Sequence, residues 1–328
     1  MKKIIIVIIL LCLIGMAFFI FTYPSNTQSK IMFIPKSTLS TFWKITIEGF
    51  ETAISEYNLY GEIRSTASEE DIVGQSKIVR QAIEEDFDAI VISANGYKQL
   101  ATPVREAMAA GVEVVVIDSD VNVEEIKVRI STDNFQAGYN MAKKMAELMD
   151  YKGYLGIISF DTVTQNGEAR VNGFLEGIKQ FSDITIVDNI KTSSNAGVAQ
   201  VITEELLENN KNITALVTFN EITTVGMCRA IEKYNKVDLV CGGFDNNIQV
   251  MDYLEKDIID MTVVQNQFAM GYLGAIYAKD SIEGKIKKPT KINTGTHIIT
   301  KENMFDLQTV VFPFYLGRDE QGRVEYGN

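Results

Sequence analysis

The segment IPKSTLSTFWK (34–44) sets Phe42 beside Trp43, the only tryptophan of the chain, in a Ser/Thr-rich turn straight after a short apolar run. Large aromatic side chains usually go inside, so a pair in a polar turn asks what covers it. Asp118, Asn220 and Asp245 occupy comparable places further along, after the β-rich runs EVVVI, ALVTF and LVCGGF. A carboxylate accepts from two hydroxyls at once, and an amide donates and accepts together. An aromatic face adds an apolar contact for C–H groups. Hydrogen bonds to charged groups contribute roughly 1.5–3 kcal/mol each, against about 1 for neutral pairs. Several of them give micromolar or tighter binding of a small hydroxyl-rich ligand after association costs.

The elements that position these residues alternate in type. Strands are expected at Lys30–Ile34, Glu62–Ser65, Ala89–Ser93, Glu113–Ile117, Tyr154–Ser159, Ile184–Ile190, Ala215–Phe219, Leu239–Gly242 and Asp260–Val264. Amphipathic helices such as Phe42–Tyr57, Glu69–Glu85, Gln136–Met149 and Thr203–Glu208 lie between them. That alternation implies βαβ units and parallel sheets. The chain also repeats one plan: a strand, a helix, then a strand ending at an aspartate. Ala89 to Asp118 spans 29 positions and Ala215 to Asp245 spans 30. Two doubly wound lobes facing each other follow. Ligands of open α/β sheets bind beyond the carboxyl ends of strands, where Trp43, Asp118, Asn220 and Asp245 all fall.

Composition narrows the classes. The chain has 328 residues, 46% of them hydrophobic and 23% charged, which is ample for two cores. A net charge of −12 argues against nucleic acid, since phosphate-backbone binding needs a basic face. Three cysteines without a Cys-x-x-Cys and a single His297 leave no metal or cofactor expected.

After Met1-Lys2-Lys3, residues 4–21 form an uninterrupted apolar stretch. It is longer than the roughly 7–15 apolar residues of a cleaved signal, and Phe18, Phe19 and Phe21 stand where small residues should lie. Leu11 before Cys12 does not suit lipoprotein processing. Residues 1–21 therefore read as an uncleaved transmembrane anchor, with the rest outside the cell. Residues 22–29 form a tether reaching at most about 26–29 Å.

The motifs IPKSTLSTFWKITIEGF (34–50), VEVVVIDSDV (112–121), RISTDNFQAG (129–138), NGEARVNGF (166–174), TFNEITTVG (218–226), GGFDNN (242–247) and DMTVVQNQ (260–267) together resemble the type I periplasmic sugar-binding proteins. That is the ribose-, galactose- and xylose-binding group, which also resembles LacI-type effector domains. The resemblance covers about residues 30–300. It implies a Venus-flytrap of two lobes, 30–132 plus 266–292 and 133–265 plus 293–328, with hinge crossings near Ser131–Asp133, Gln265–Asn266 and Asn293–Thr294. It implies that Phe42 and Trp43 stack on a sugar ring. Asp118, Asn220 and Asp245 would bind its hydroxyls, and Gln265 would be a polar hinge contact.

The match is uneven. Ribose binders carry Arg after the first aspartate, where this chain has Ser119 and Asp120. The first Arg of the family's R-x-R-x-x-G-F segment is Glu168 here, with Arg170 retained, and Lys36 replaces a small residue. Lys36, Asp120 and Arg170 join the candidate ligand contacts, and sugar identity stays open.

Each residue has a structural alternative. Phe42 and Trp43 can anchor a helix start in the core, Asp118 and Asp245 can cap or brace loops, Arg170 can pair with an acidic neighbour, and Lys36 can be a solvated charge. Glycosidase chemistry from Asp118 and Asp120 is not expected, because carboxylates at adjacent-but-one positions are not set across a bond. No nucleotide-binding glycine loop and no Gly-x-Ser-x-Gly occurs. The likeness is greatest to the xylose-sensing branch that pairs with a LytS-type membrane histidine kinase. The implied partners are a pentose such as D-xylose and that sensor kinase of a two-component system, with delivery to an ABC permease as the alternative.

Overall fold

A computed structural model describes residues 28–160, 165–235, 238–306, 308–309 and 312. The expected anchor at 1–21, most of the tether, and 313–328 lie outside the described residues. Among the described residues no helix is long and apolar enough to cross a membrane.

In chain order the first part runs β1 (Lys30–Ile34), α1 (Thr41–Glu56), β2 (Tyr60–Ile63), α2 (Ile72–Glu84), β3 (Ala89–Ile92), α3 (Ala101–Ala109), β4 (Glu113–Ile117) and β5 (Val128–Ser131). There follow α4 (Asn134–Leu148), β6 (Gly153–Phe160), α5 (Gln165–Ile178), β7 (Ile184–Thr192), α6 (Ala196–Asn209), β8 (Ala215–Thr218), α7 (Glu221–Tyr234), β9 (Val240–Phe244), α8 (Ile248–Glu255) and β10 (Met261–Gln265). The last elements are α9 (Gln267–Ile282), β11 (Thr290–Asn293) and β12 (Thr296–Thr300).

Two six-stranded sheets result. The first has the order β11-β5-β4-β3-β1-β2 and is parallel throughout. The second has the order β12-β10-β9-β8-β6-β7, parallel except for β12 against β10. The chain passes between them after β5, after β10 and after β11.

Alternation along the strands builds the cores, because successive side chains point to opposite faces. In β1, Ile31 and Phe33 pack with α1 and α9, while Met32 and Ile34 pack with α2 and α3. The second sheet repeats this, with Leu155 and Ile157 against α4 and α5 and Ile158 against α6. Burial on both faces is why these strands read as apolar runs.

One helix pair in each lobe is packed through glycine. A β-carbon at Gly271 of α9 would overlap the Thr46 carbonyl oxygen of α1, and one at Gly138 of α4 would overlap the Arg170 carbonyl oxygen of α5. Backbone cannot yield as a side-chain tip can. Gly138→Ala and Gly271→Ala are each expected to destabilise the fold by about 1–3 kcal/mol, measured as a lowered denaturation midpoint.

Candidate functional site

The loops at the carboxyl edges of both sheets face each other across a small cavity. Lys36, Phe42, Trp43, Asp118, Arg170, Asn220, Asp245 and Gln265 all line it. The first four come from the first lobe, the next three from the second, and Gln265 from a crossing.

On the first-lobe side, Ser40 caps α1 and accepts from the Trp43 amide. Phe42 and Trp43, at the helix start, form an edge-to-face pair with ring centroids 4.9 Å apart. Both belong to the apolar core and both line the cavity. The indole Nε1 donates to Glu69 Oε1 at 2.9 Å. Asp118 ends β4 in the left-handed region, φ 53°, a conformation Asp tolerates better than most residues. Its Oδ2 accepts from Ser93 Oγ and Ser119 Oγ at 2.9 and 3.0 Å. Lys36 Nζ stands 3.5 Å away, and both charges are buried. From the second lobe, Asn166 Nδ2 reaches Asp118 Oδ1 at 3.3 Å.

The second-lobe side mirrors this. Asp245 ends β9 with φ 71°. Its amide donates to the neighbouring strand at Val263, as that of Asp118 does at Ile130. Its Oδ1 accepts from Gln265 Nε2 at 2.8 Å, and Gln265 Oε1 accepts from Thr132 Oγ1 at 2.9 Å. The amide of Gln265 therefore ties the first and second crossings to Asp245. Arg170 is 2% exposed. Its Nε donates to Asn134 Oδ1 at 2.8 Å and its Nη1 to the Phe219 carbonyl at 3.0 Å, while the guanidinium lies 4.0 Å over the Phe244 ring. Asn220 caps α7, accepting from the Thr223 amide, and donates to Ser194 Oγ at 2.8 Å.

Asp120 is a correction. It does not line the cavity: it binds Arg129 Nε at 3.0 Å and accepts from the Val121 amide. The turn after Asp118 buries Ser119 and points Asp120 outward, where Arg129 of β5 holds it. Lys36 is not a solvated charge either, being 5% exposed. The cavity is also lined by residues that the sequence does not single out, among them Glu69, Asn166, Ser194 and Glu221. Glu221 had a usable signal, since it follows Asn220 at a strand end. The others sit in segments whose polar residues look like ordinary helix starts and turns.

Burial pushes the Asp245 carboxyl above its usual range, against the pull of Arg170 and Gln265. Burial also raises Glu221, with Asn247 opposing and Asp245 and Glu69 adding to the rise. Two opposite pH trends follow. In the ligand-free protein the folded state holds these protons more tightly than the unfolded chain. That stability is present below the unfolded pKa and is lost as pH rises through the raised one. A ligand hydroxyl donating to an ionised carboxylate works the other way. Affinity is expected to fall as pH drops through the raised values, by up to tenfold per pH unit per group. Calorimetric titration and thermal melts over the same pH series check both signs. Among the described residues no cluster of His, Cys, Asp and Glu could hold a metal.

Residues 31–286 match the periplasmic binding protein domain family, and the chain belongs to it. Its class is that of the type I periplasmic binding proteins, and the relatives it matches are binding proteins. It is 25% identical over 282 residues to the ribose import binding protein of Bacillus subtilis, covering 83% of this chain and 90% of that one. It is 25% identical over 239 residues to the D-apiose import binding protein of Paraburkholderia graminis, covering 72% of this chain and 76% of that one. Among solved structures it is similar to a carbohydrate transporter solute binding protein from Agrobacterium radiobacter in complex with D-arabinose. That likeness has a TM-score of 0.84 and 27% identity, covering 88% of this chain and 99% of the other.

Proposed function

We propose that the chain binds a pentose, D-xylose or a close relative, in the cavity between its lobes, and signals its occupancy to a membrane sensor histidine kinase of a two-component system. One observation carries the ligand class: an aromatic pair from one lobe shares a small cavity with hydrogen-bonded carboxylates from both lobes. The proposed ligand-binding set is Lys36, Phe42, Trp43, Asp118, Arg170, Asn220, Asp245 and Gln265. Closure on the sugar shifts an open–closed equilibrium, and the kinase reads the closed shape. Residues 1–21 anchor the protein in the membrane beside that partner. The lobes of this reading meet at the crossings near residues 132, 265 and 293.

A second reading is delivery to an ABC permease, favoured by the relatives named as import binding proteins. Calorimetric titration of the chain from residue 28 with D-xylose, D-ribose, D-arabinose and D-apiose tests the ligand. Heat and a raised melting temperature with a pentose are expected, and no response to any of them sinks the pentose reading. Deleting the gene then separates the partners. The sensor reading expects lost sugar-induced transcription with uptake retained, and the import reading expects lost uptake.

A further inference from the structure

Among the described residues the cavity is lined by four carboxylates, Glu69, Asp118, Glu221 and Asp245, but only two cations, Lys36 and Arg170. Lys36 stands by Asp118, and the charge of Arg170 acts on Asp245. Glu69 and Glu221, from opposite lobes, have no cation among their hydrogen-bond partners. Glu69 takes the Trp43 indole N–H. Glu221 Oε1 takes Asn247 Nδ2 at 2.9 Å, while its Oε2 is buried with no hydrogen-bond partner. The Phe42 amide of the facing lobe favours the Glu221 charge but falls outside hydrogen-bond geometry. The open acceptor belongs to a residue that lines the cavity together with the aromatic pair.

We propose that Glu221 is a specificity-determining residue of this cleft, whose free carboxylate oxygen accepts from one ligand hydroxyl and makes that hydroxyl obligatory. The proposal rests on the sugar-binding reading above. A site built to bond a hydroxyl strongly rejects the analogue lacking it, because its own buried acceptor is then left unmatched. The other carboxylates discriminate less sharply. Asp118 and Asp245 each already accept two or more hydrogen bonds from the protein.

The test is a calorimetric cycle with wild type, Glu221→Gln and Glu221→Asp. Gln keeps the size and an oxygen for Asn247, and Asp keeps the charge but withdraws it. Ligand-free melting curves establish that each variant is folded. The tightest binder among D-xylose, D-ribose and D-arabinose is titrated with each of its monodeoxy analogues. Wild type is expected to bind one analogue at least about tenfold more weakly than the parent sugar. In both variants the parent itself weakens about tenfold and that analogue loses at most threefold further, while penalties for the other analogues stay as in wild type. Variants that bind parent and analogues as wild type does overturn this role alone. A wild type that binds none of the sugars overturns the sugar reading, and this inference with it.

Discussion

Replacing Trp43 by alanine is expected to remove both the ligand and a large share of the stability. The indole is 2% exposed and packs in the first-lobe core with Phe42, Phe50 and residues of α9. Truncating a buried Trp destabilises by about 3–5 kcal/mol, a large fraction of the margin of an ordinary domain. The same ring lines the cavity, so its loss also removes the apolar contact for a sugar face and leaves Glu69 without its donor. An affinity loss of about a hundredfold or more is expected per folded molecule. Trp43→Phe separates the two contributions. It keeps much of the packing and an aromatic face, and its main cost is the stranded Glu69, about 1–3 kcal/mol. Chemical denaturation and calorimetric titration on both variants decide the matter. Wild-type stability in Trp43→Ala would confine the ring to the ligand, and unchanged affinity would confine it to the core.

In the sequence, core anchor and sugar platform are alternatives for this ring, and the structure places it both in the first-lobe core and on the cavity wall. The reason is geometric. At the first turn of α1 the same ring belongs to the core cluster and lines the cavity, and no sequence pattern separates those two surroundings.

Elsewhere legibility followed burial. The central strands were readable because both faces of a parallel sheet are apolar. β5 and β11 are not legible as strands in the sequence. They are short and flank the crossings, and Arg129 and Lys291 interrupt their apolar pattern. Asp118 and Asp245 were visible because each ends an apolar run in the same way in the two repeats. The structure deepens that likeness to the same positive φ and the same amide bond to the neighbouring strand. Asp120 misled because sequence proximity does not tell which way a turn points its side chains. Glu221 was passed over because an acid in the first turn of a helix has an ordinary explanation in the helix dipole.

Arg170→Ala is expected to be the most disruptive change on the second-lobe side. The guanidinium is the cation whose field most lowers the charge cost of buried Asp245. It also bonds Asn134, whose Nδ2 donates to the Thr132 carbonyl in the first crossing. Removing one partner of a buried charge pair destabilises by about 3–5 kcal/mol, largely because the other charge is left uncompensated. The sign of its pH dependence follows. Without Arg170 the folded-state pKa of Asp245 rises further, so the deficit is small where Asp245 is protonated in both states. It grows as pH rises from the ordinary carboxylate range through the new pKa. Adding Asp245→Asn should therefore recover part of the stability at neutral pH and flatten that dependence, a coupling that a double-mutant cycle reads directly. Affinity should not return in the double variant. It lacks both the ionised acceptor at Asp245 and the anchor that joins α5 to the crossing. Full recovery of binding would mean that Arg170 serves only to neutralise Asp245. A single variant as stable as wild type at neutral pH would mean that the buried aspartate is already protonated there and has no need of the cation.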